Sequence, residues 1–362
     1  MNSSIVELLK AMIQFKGSDL HLSVGLPPAI RVDGEVKRLD MDVLTDETNT
    51  KLVMSVLTDK QRAELEENLD LDFALNIDGV GRFRGNAHYT RGSMEAVFRH
   101  IKQNISQLED LGHMPSVANL CNLRAGLVLV TGVTGSGKSS TLASMMKRIA
   151  DTRRGVIITI EDPIEYILEH GHSVVKQREI GQDTNSFTSA IKFALRQDPD
   201  VIMVSELRDL ETIQAAVTAA ETGHLVLGTL HTMDAPKSLD RIIDAFPPEQ
   251  QSQMVAQLAN CLKGIVSQKL LPSITGTGRV LAEEVMLMNN AIQTCLRERK
   301  FEQIQGLIEI ASGEGMFTID AHLVDLMKNG KITMDVAYKH CRDETVLNKY
   351  LEELNAANNA KK

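Results

Sequence analysis

The chain has 362 residues and a formal net charge of -9, and it is 43% hydrophobic with only 4% aromatic residues. This length is typical of two or three domains, whose cores must be mainly aliphatic. The acidic balance, with no block of basic residues, argues against nucleic acid as a partner. Four scattered cysteines form no C-x-x-C pair, which argues against a zinc ribbon or disulfides and fits the cytoplasm.

The N-terminal segment is predicted to be an amphipathic helix. Its apolar residues recur at helical spacing, and Gly17 closes the pattern. They form a stripe instead of the apolar block of a signal peptide. No stretch approaches 18 consecutive apolar residues, so we expect no direct membrane insertion. The stripe consists of Ile5, Leu8, Leu9, Met12 and Ile13.

Strand signals dominate the rest of the first third. Asp33-Gly34 and Asp78-Gly79 each separate two short apolar runs, which predicts two hairpin turns. A polar stretch at 48–68, between the hairpins, is predicted to be a helix. We assign residues 1–101 to a small α+β domain and the polar stretch at 102–115 to a linker. The hairpin strands are expected at 29–32, 35–39, 72–77 and 80–89.

From residue 116 to 275, apolar β-branched runs alternate with amphipathic stretches. Such alternation is typical of an α/β fold, a parallel sheet with helices on both faces. The remainder, 276–362, is predicted to be helical, with a frayed tail at 355–362. Strands are expected at 127–131, 156–160, 201–204 and 225–230, and helices at 187–196 and 210–221.

The segment from Gly132 to Ser139 has the pattern G-x-x-x-x-G-K-[S/T] of a phosphate-binding loop. An apolar strand precedes it and an apolar stripe at helical spacing follows it, as this motif requires. Its glycines allow backbone N–H groups to surround phosphate, Lys138 is placed to reach the β/γ-phosphates, and Ser139 to hold Mg²⁺. We therefore predict ATP and Mg²⁺ as cofactors. The expected nucleotide contacts are Gly132, Val133, Thr134, Gly135, Ser136, Gly137, Lys138, Ser139 and Ser140.

Two acidic residues follow predicted strands of the parallel sheet. Glu206 comes after the strand at 201–204, and Glu161 after the strand at 156–160. Binding sites of parallel sheets lie at these strand ends, and ATP hydrolysis needs a carboxylate near the γ-phosphate and water. An acid at a strand end is often merely solvated, but two beside a phosphate loop favour catalysis.

Histidines and arginines supply further candidates. His231 follows the strand at 225–230, at the end that faces the nucleotide, which favours a γ-phosphate sensor over a structural histidine. Arg84 and Arg99 lie in strands of the first domain, on the faces opposite Phe83 and Phe98. Arginine suits a phosphate clamp, although solvated surface arginines would show the same alternation.

Together these segments resemble the secretion-superfamily hexameric ATPases, and within them the PilT-like twitching-motility motors of type IV pili. The resemblance covers essentially the whole chain and rests on five motifs in order. These are Ser18-Asp19-Leu20-His21 through Arg31-Val32-Asp33-Gly34, the phosphate loop, an Asp box at 159–165, a Walker B end at 206–209 and a His box at 220–232.

The resemblance implies a PAS-like N-terminal domain, a RecA-like ATPase domain and a homohexameric ring. It makes Glu206 the glutamate that polarises water, Glu161 a support for Mg²⁺ or water, and His231 the γ-phosphate sensor. His224, in the same His box, is also assigned to the nucleotide. The two arginines match those that reach the phosphates as the domains close.

The implied function is an ATP-driven motor that retracts type IV pili. Domain rotation would act on an inner-membrane platform protein, and a paralogous pilus ATPase is a further expected partner. We expect a cytoplasmic protein, peripherally associated with the inner membrane at the pilus base. The absence of an extra N-terminal domain and of a four-cysteine zinc insertion favours the retraction branch over assembly.

Two departures from the family keep alternatives open. Ser205 stands where the family usually has glycine before the Walker B glutamate. Residues 291–298 read Ala-Ile-Gln-Thr-Cys-Leu-Arg-Glu, where retraction enzymes carry Ala-Ile-Arg-Asn-Leu-Ile-Arg-Glu. The alternative is an accessory or assembly-type ATPase of a pilus or type II secretion system, with weak hydrolysis. A DNA-transfer ATPase is less favoured because the chain is acidic.

Overall fold

A computed structural model gives the positions of residues 4–32, 34–101, 104–349 and 352. The α/β chain forms two compact units. The first comprises Met1–Asn104 together with Glu165–Ile167, and the second Ile105–Ile164 and Leu168–Lys362. Each unit is built around one sheet of its own.

The first unit contains a six-stranded antiparallel sheet in the order β3-β2-β1-β6-β5-β4. Its strands are β1 (Asp19–Leu22), β2 (Ala29–Val32), β3 (Glu35–Arg38), β4 (Asp70–Ile77), β5 (Gly81–Thr90) and β6 (Ser93–Ile101). Its helices are α1 (Ile5–Gln14), α2 (Asp46–Met54) and α3 (Asp59–Asn68).

The predicted N-terminal helix and both hairpins are confirmed. The β2–β3 and β4–β5 pairs are antiparallel neighbours, although the turn residue Asp33 lies outside the described residues. The prediction of one helix at 48–68 was wrong. Thr58 accepts a hydrogen bond from the N–H of Gln61, whose side chain accepts one from the N–H of Thr58. This capping box starts a second helix and turns the chain after Met54.

The alternation along β5 and β6 separates a core face from a polar face. Phe83 and Phe98 are fully buried in the core of the first unit. Arg84 and Arg99 are directly opposite each other in the β5–β6 pair, so both arginines share the other face. Gly85, the residue after Arg84, faces the core and must lack a side chain, because a Cβ there would lie 2.4 Å from the ring of Phe73.

The second unit contains a seven-stranded sheet in the order β13-β12-β7-β11-β10-β8-β9. All neighbours are parallel except β12 and β13, which form an antiparallel pair. Its strands are β7 (Gly126–Thr131), β8 (Val156–Glu161), β9 (Val174–Glu179), β10 (Val201–Val204), β11 (Leu225–Leu230), β12 (Leu262–Pro272) and β13 (Arg279–Leu287).

Helices cover both faces of this sheet, as expected of a parallel sheet. Val128 and Val130 face the core beneath the helices at 115–120 and 138–152, whereas Leu127 and Leu129 face the core beneath the helices between 187 and 310. The helices are α4 (Pro115–Leu120), α5 (Lys138–Thr152), α6 (Phe187–Ala194), α7 (Leu210–Glu221), α8 (Ala235–Asp244), α9 (Pro248–Cys261), α10 (Asn290–Arg297), α11 (Ile304–Ile310), α12 (Ile319–Lys328) and α13 (Met334–His340).

The four strands predicted around the phosphate loop are present, but three others were missed. The region predicted as helical, 276–362, begins with β13, so a boundary at 275 would divide an antiparallel pair. Glu283 and Glu284 lie in β13 and are 0% and 1% exposed. The strand was not predicted because these two acidic residues interrupt its apolar pattern. The predicted frayed tail at 355–362 lies outside the described residues.

No helix in the described ranges is long and apolar enough to cross a membrane. None of the four cysteines is in a disulfide. Burial raises the pKa of the Cys121 and Cys261 thiols to about 12, so both are protonated at neutral pH and act as packing groups.

Candidate active site

The phosphate loop connects the end of β7 to the start of α5. Gly137 precedes the helix with a φ of 92°, and Gly132 has a φ of 148°, both in the region that favours glycine. At Gly132 a Cβ would also lie 2.4 Å from the carbonyl oxygen of Gln268. Two glycines of the motif are therefore required by conformation, and one of them by space as well.

The loop fits an anionic ligand. Within the described ranges, no protein group accepts a hydrogen bond from the N–H of Thr134, Gly135 or Gly137. The N-terminus of the 15-residue helix α5 adds its positive end at the same place. The ammonium group of Lys138 donates to the carbonyl oxygens of Gly132 and Val133, at 2.8 and 3.2 Å, and so lies against the loop.

Glu206 and His231 meet at the ends of neighbouring strands. Oε1 of Glu206 lies 3.2 Å from Nε2 of His231 and accepts a 2.8 Å hydrogen bond from Nε of Arg208. The carbonyl of Leu230, just before His231, accepts from the N–H of Gly132 at 3.3 Å. The carboxylate, the imidazole and the phosphate loop therefore lie at one edge of the sheet.

Glu161 ends β8, which pairs with β10 on the side away from β11. Glu161 is 6% exposed. Oε1 accepts hydrogen bonds from Thr159 Oγ1 at 2.6 Å and from Gln177 Nε2 at 3.0 Å. These donors orient a carboxylate that can act as a ligand, directly or through water, for a cation at this edge.

Sequence and structure comparisons identify the family. The profile of the type II/IV secretion system protein family matches residues 7–314. The chain belongs to this family. Its predicted resemblance to PilT-like ATPases is confirmed, and with it the prediction of an ATP-hydrolysing enzyme of the pilus-retraction type.

Similarity to individual secretion-family proteins extends over most of the chain. This chain is 45% identical to the type IV pilus retraction ATPase PilT of Pseudomonas aeruginosa, over 92% of this chain and 96% of the relative. It is 40% identical to the type IV pilus ATPase PilU of the same organism, over 92% and 87%. A crystal structure of the pilus retraction motor PilT with bound ADP superposes with a TM-score of 0.90 at 47% identity, covering 96% and 99%.

The structure does not bring His224 to the phosphate loop of this secretion-family chain. His224 precedes β11, and its Nδ1 lies 3.0 Å from the carbonyl oxygen of Ala219. The phosphate loop lies at the opposite end of the sheet, where β7 ends. The six residues of β11 between the two ends span roughly 20 Å. Within one chain His224 thus lies away from the loop, with its imidazole against the end of α7, and its assignment to the nucleotide stays a prediction.

Arg84 and Arg99 belong to the first unit, and their role at the nucleotide stays a prediction. Nη2 of Arg84 lies 3.3 Å from Oδ2 of Asp72, in a largely exposed pair. Nε of Arg99 lies 2.7 Å from Oδ1 of Asp19, whose side chain is only 4% exposed. The two arginines thus share a strand face but differ in how firmly they are held.

Sequence reasoning missed two residues that shape the site. Arg208, two positions after Glu206, contacts that carboxylate and could have been recognised as a neighbouring cation. Gln268 on β12 donates a 2.8 Å hydrogen bond to the carbonyl of Ser136 in the loop. It is 132 positions away from Ser136, and no local pattern marks it.

Proposed function

We propose that this chain is an ATP-hydrolysing motor that drives the retraction of type IV pili. The observation that carries the proposal is the contact between Glu206 and His231 beside the phosphate loop. A phosphate loop alone serves many nucleotide-binding proteins, whereas this arrangement supplies a carboxylate for water and a partner that can respond to phosphate. The similarity to a pilus retraction ATPase supports the mechanical output.

Each residue of the site has a distinct proposed role. Glu206 orients and polarises the attacking water, and His231, 3.2 Å away, senses the γ-phosphate. Lys138 holds the β/γ-phosphates together with the loop N–H groups. Ser139 and Glu161 are assigned to Mg²⁺, which neutralises phosphate charge when bound. The exposed position of Ser139 at the start of α5 is consistent with this assignment.

The architecture of the proposed motor follows the family. We assign residues 1–101 to a PAS-like domain, 102–115 to a linker and 116–275 to a RecA-like core, which we extend to the end of β13. Residues 276–362 otherwise form the helical C-terminal region. We propose that six copies form a ring on the cytoplasmic side of the inner membrane, and that rotation of the domains acts on a platform protein.

The arginines of the first unit give a paired test of closure on the nucleotide. We expect Arg84→Ala and Arg99→Ala each to lower ATP turnover by at least about tenfold, because a phosphate clamp would be lost. Only Arg99→Ala should also lower the melting temperature, by about 4 °C or more, because it removes the nearest cation from buried Asp19. Arg38→Ala, on exposed β3, is the control. Unchanged turnover in both variants would remove the arginines from the site.

Ser205 and the divergent segment 291–298 favour one alternative, an accessory ATPase that hydrolyses little. Steady-state ATP hydrolysis by the purified chain separates the two, with light scattering to establish the ring. The motor hypothesis predicts a hexamer with turnover of about 1 s⁻¹ or faster, within the usual range for enzymes. Binding without turnover would support the accessory role. Turnover stimulated by DNA and suppressed by salt would indicate the DNA-transfer alternative.

A further inference from the structure

A series of buried polar side chains connects to the phosphate loop from within the protein. It begins with His113 and Glu283, whose side chains are 1% and 0% exposed. Nδ1 of His113 lies 2.6 Å from Oε2 of Glu283, and Oε1 of Glu283 accepts a 2.8 Å hydrogen bond from the N–H of Met114. A buried carboxylate is tolerated only with such partners, so this pair fixes the segment before α4 to β13.

The series continues to the loop through two more side chains. Nε2 of His113 lies 2.9 Å from Oγ1 of Thr141, in the first turn of α5. Oγ1 of Thr141 lies 3.0 Å from Oε1 of Gln268, whose Nε2 donates 2.8 Å to the carbonyl of Ser136. Thr141 and Gln268 are 1% and 2% exposed. Two buried side chains, those of Thr141 and Gln268, thus connect the backbone of the loop to His113.

The hydrogen-bonding groups at both ends of this series have clear roles. A carboxylate only accepts, so Nδ1 of His113 donates to Glu283. The hydroxyl of Thr141 lies within hydrogen-bond distance of Nε2 of His113, of Oε1 of Gln268 and, at 3.2 Å, of the carbonyl oxygen of Gly137. The amide of Gln268 donates to Ser136. Removing one member deprives a buried polar atom of one of its partners, which costs more than the bond contributes.

We propose that His113, Thr141 and Gln268 are positioning residues that hold Ser136, and with it the phosphate loop, in the geometry that binds phosphate. They act through two carbonyls of the loop, that of Ser136, which Gln268 contacts, and that of Gly137, which Thr141 contacts. His113 lies near the end of the segment 105–114, which joins the first unit to α4 in the sequence. The position of this segment therefore sets the affinity of the loop for nucleotide. The inference rests on the proposed nucleotide site and adds to it a link to the connecting segment.

The test measures the affinity of the full-length protein for ADP with Mg²⁺ by titration calorimetry. Thr141→Val and Gln268→Met preserve shape and remove the hydrogen bonds, and each should weaken binding about tenfold, the equivalent of one hydrogen bond. Thr141→Ser restores the hydroxyl and should bind within about twofold of the wild type. Thr152→Val, at the exposed end of α5, is the matched control, because its hydroxyl donates to the carbonyl of Arg148, far along the helix from the loop.

The same titration tests whether His113 acts through Thr141. His113→Gln keeps a donor for Glu283, and the double variant with Thr141→Val should bind no more weakly than Thr141→Val alone. Independent, multiplied effects would overturn the role of His113.

Calorimetric stoichiometry separates misfolding, which lowers the bound fraction, from a change in affinity. Wild-type affinity in Thr141→Val and Gln268→Met, or equal weakening in Thr141→Ser and Thr141→Val, would overturn the network. A wild-type protein that binds no ADP would instead contradict the proposed function.

Discussion

Lys138→Ala is expected to abolish ATP hydrolysis, with turnover at least about a hundredfold below the wild type. Lys138 is the ammonium group of the phosphate loop, and alanine leaves the β/γ-phosphates without that charge. The fold should be retained. The bonds that Lys138 makes within the loop are to Gly132 and Val133 carbonyls, and alanine is a good helix former at the start of α5. We expect a melting temperature within about 3 °C of the wild type.

The control for this substitution lies on the same helix. Lys147→Ala removes a lysine whose 3.0 Å pair with Asp151 is partly exposed, and it should leave turnover unchanged. The measurement is steady-state phosphate release by the two variants and the wild type at equal ring concentration. Undiminished hydrolysis by Lys138→Ala would refute the assignment of the site to this loop.

Glu206→Gln should separate binding from hydrolysis. Glutamine keeps the oxygen that accepts from Arg208 and faces His231, so the local geometry persists. It cannot polarise water as a carboxylate does, and turnover should fall by about 10²-fold or more. Affinity for ATP should stay within about threefold, because the loop and Lys138 are unchanged.

The matched control is Glu211→Gln, an exposed glutamate at the start of α7, close to Glu206 in sequence. It should hydrolyse ATP at the wild-type rate. Equilibrium binding of ATP and single-turnover hydrolysis are measured on the same preparations. If Glu206→Gln turns over as fast as Glu211→Gln, another residue must activate the water.

Much of the fold could be predicted because its signals are local. The runs at 127–131, 156–160, 201–204 and 225–230 are apolar and β-branched, and each became a strand of the parallel sheet. Parallel neighbours meet at their carboxyl ends, so Glu206 and His231 were expected near the same edge. The structure adds that their side chains are in contact.

What could not be predicted depends on pairing between distant residues. β13 was not predicted because Glu283 and Glu284 are typical of exposed positions. Their burial depends on partners that are distant in the sequence, such as His113, 170 positions from Glu283. His224 was assigned to the nucleotide because the His box was treated as one unit. Its two histidines are separated by the whole of β11, and a strand has two ends at opposite edges of the sheet.

The most direct test of a retraction motor is to follow labelled pili on living cells of the organism that carries this gene. The chromosomal gene is replaced by Glu206→Gln or by the control Glu211→Gln, with equal protein levels. We predict that pili extend in both strains but retract only in the Glu211→Gln cells. Normal retraction in the Glu206→Gln cells would contradict the proposal that ATP hydrolysis at this site powers retraction.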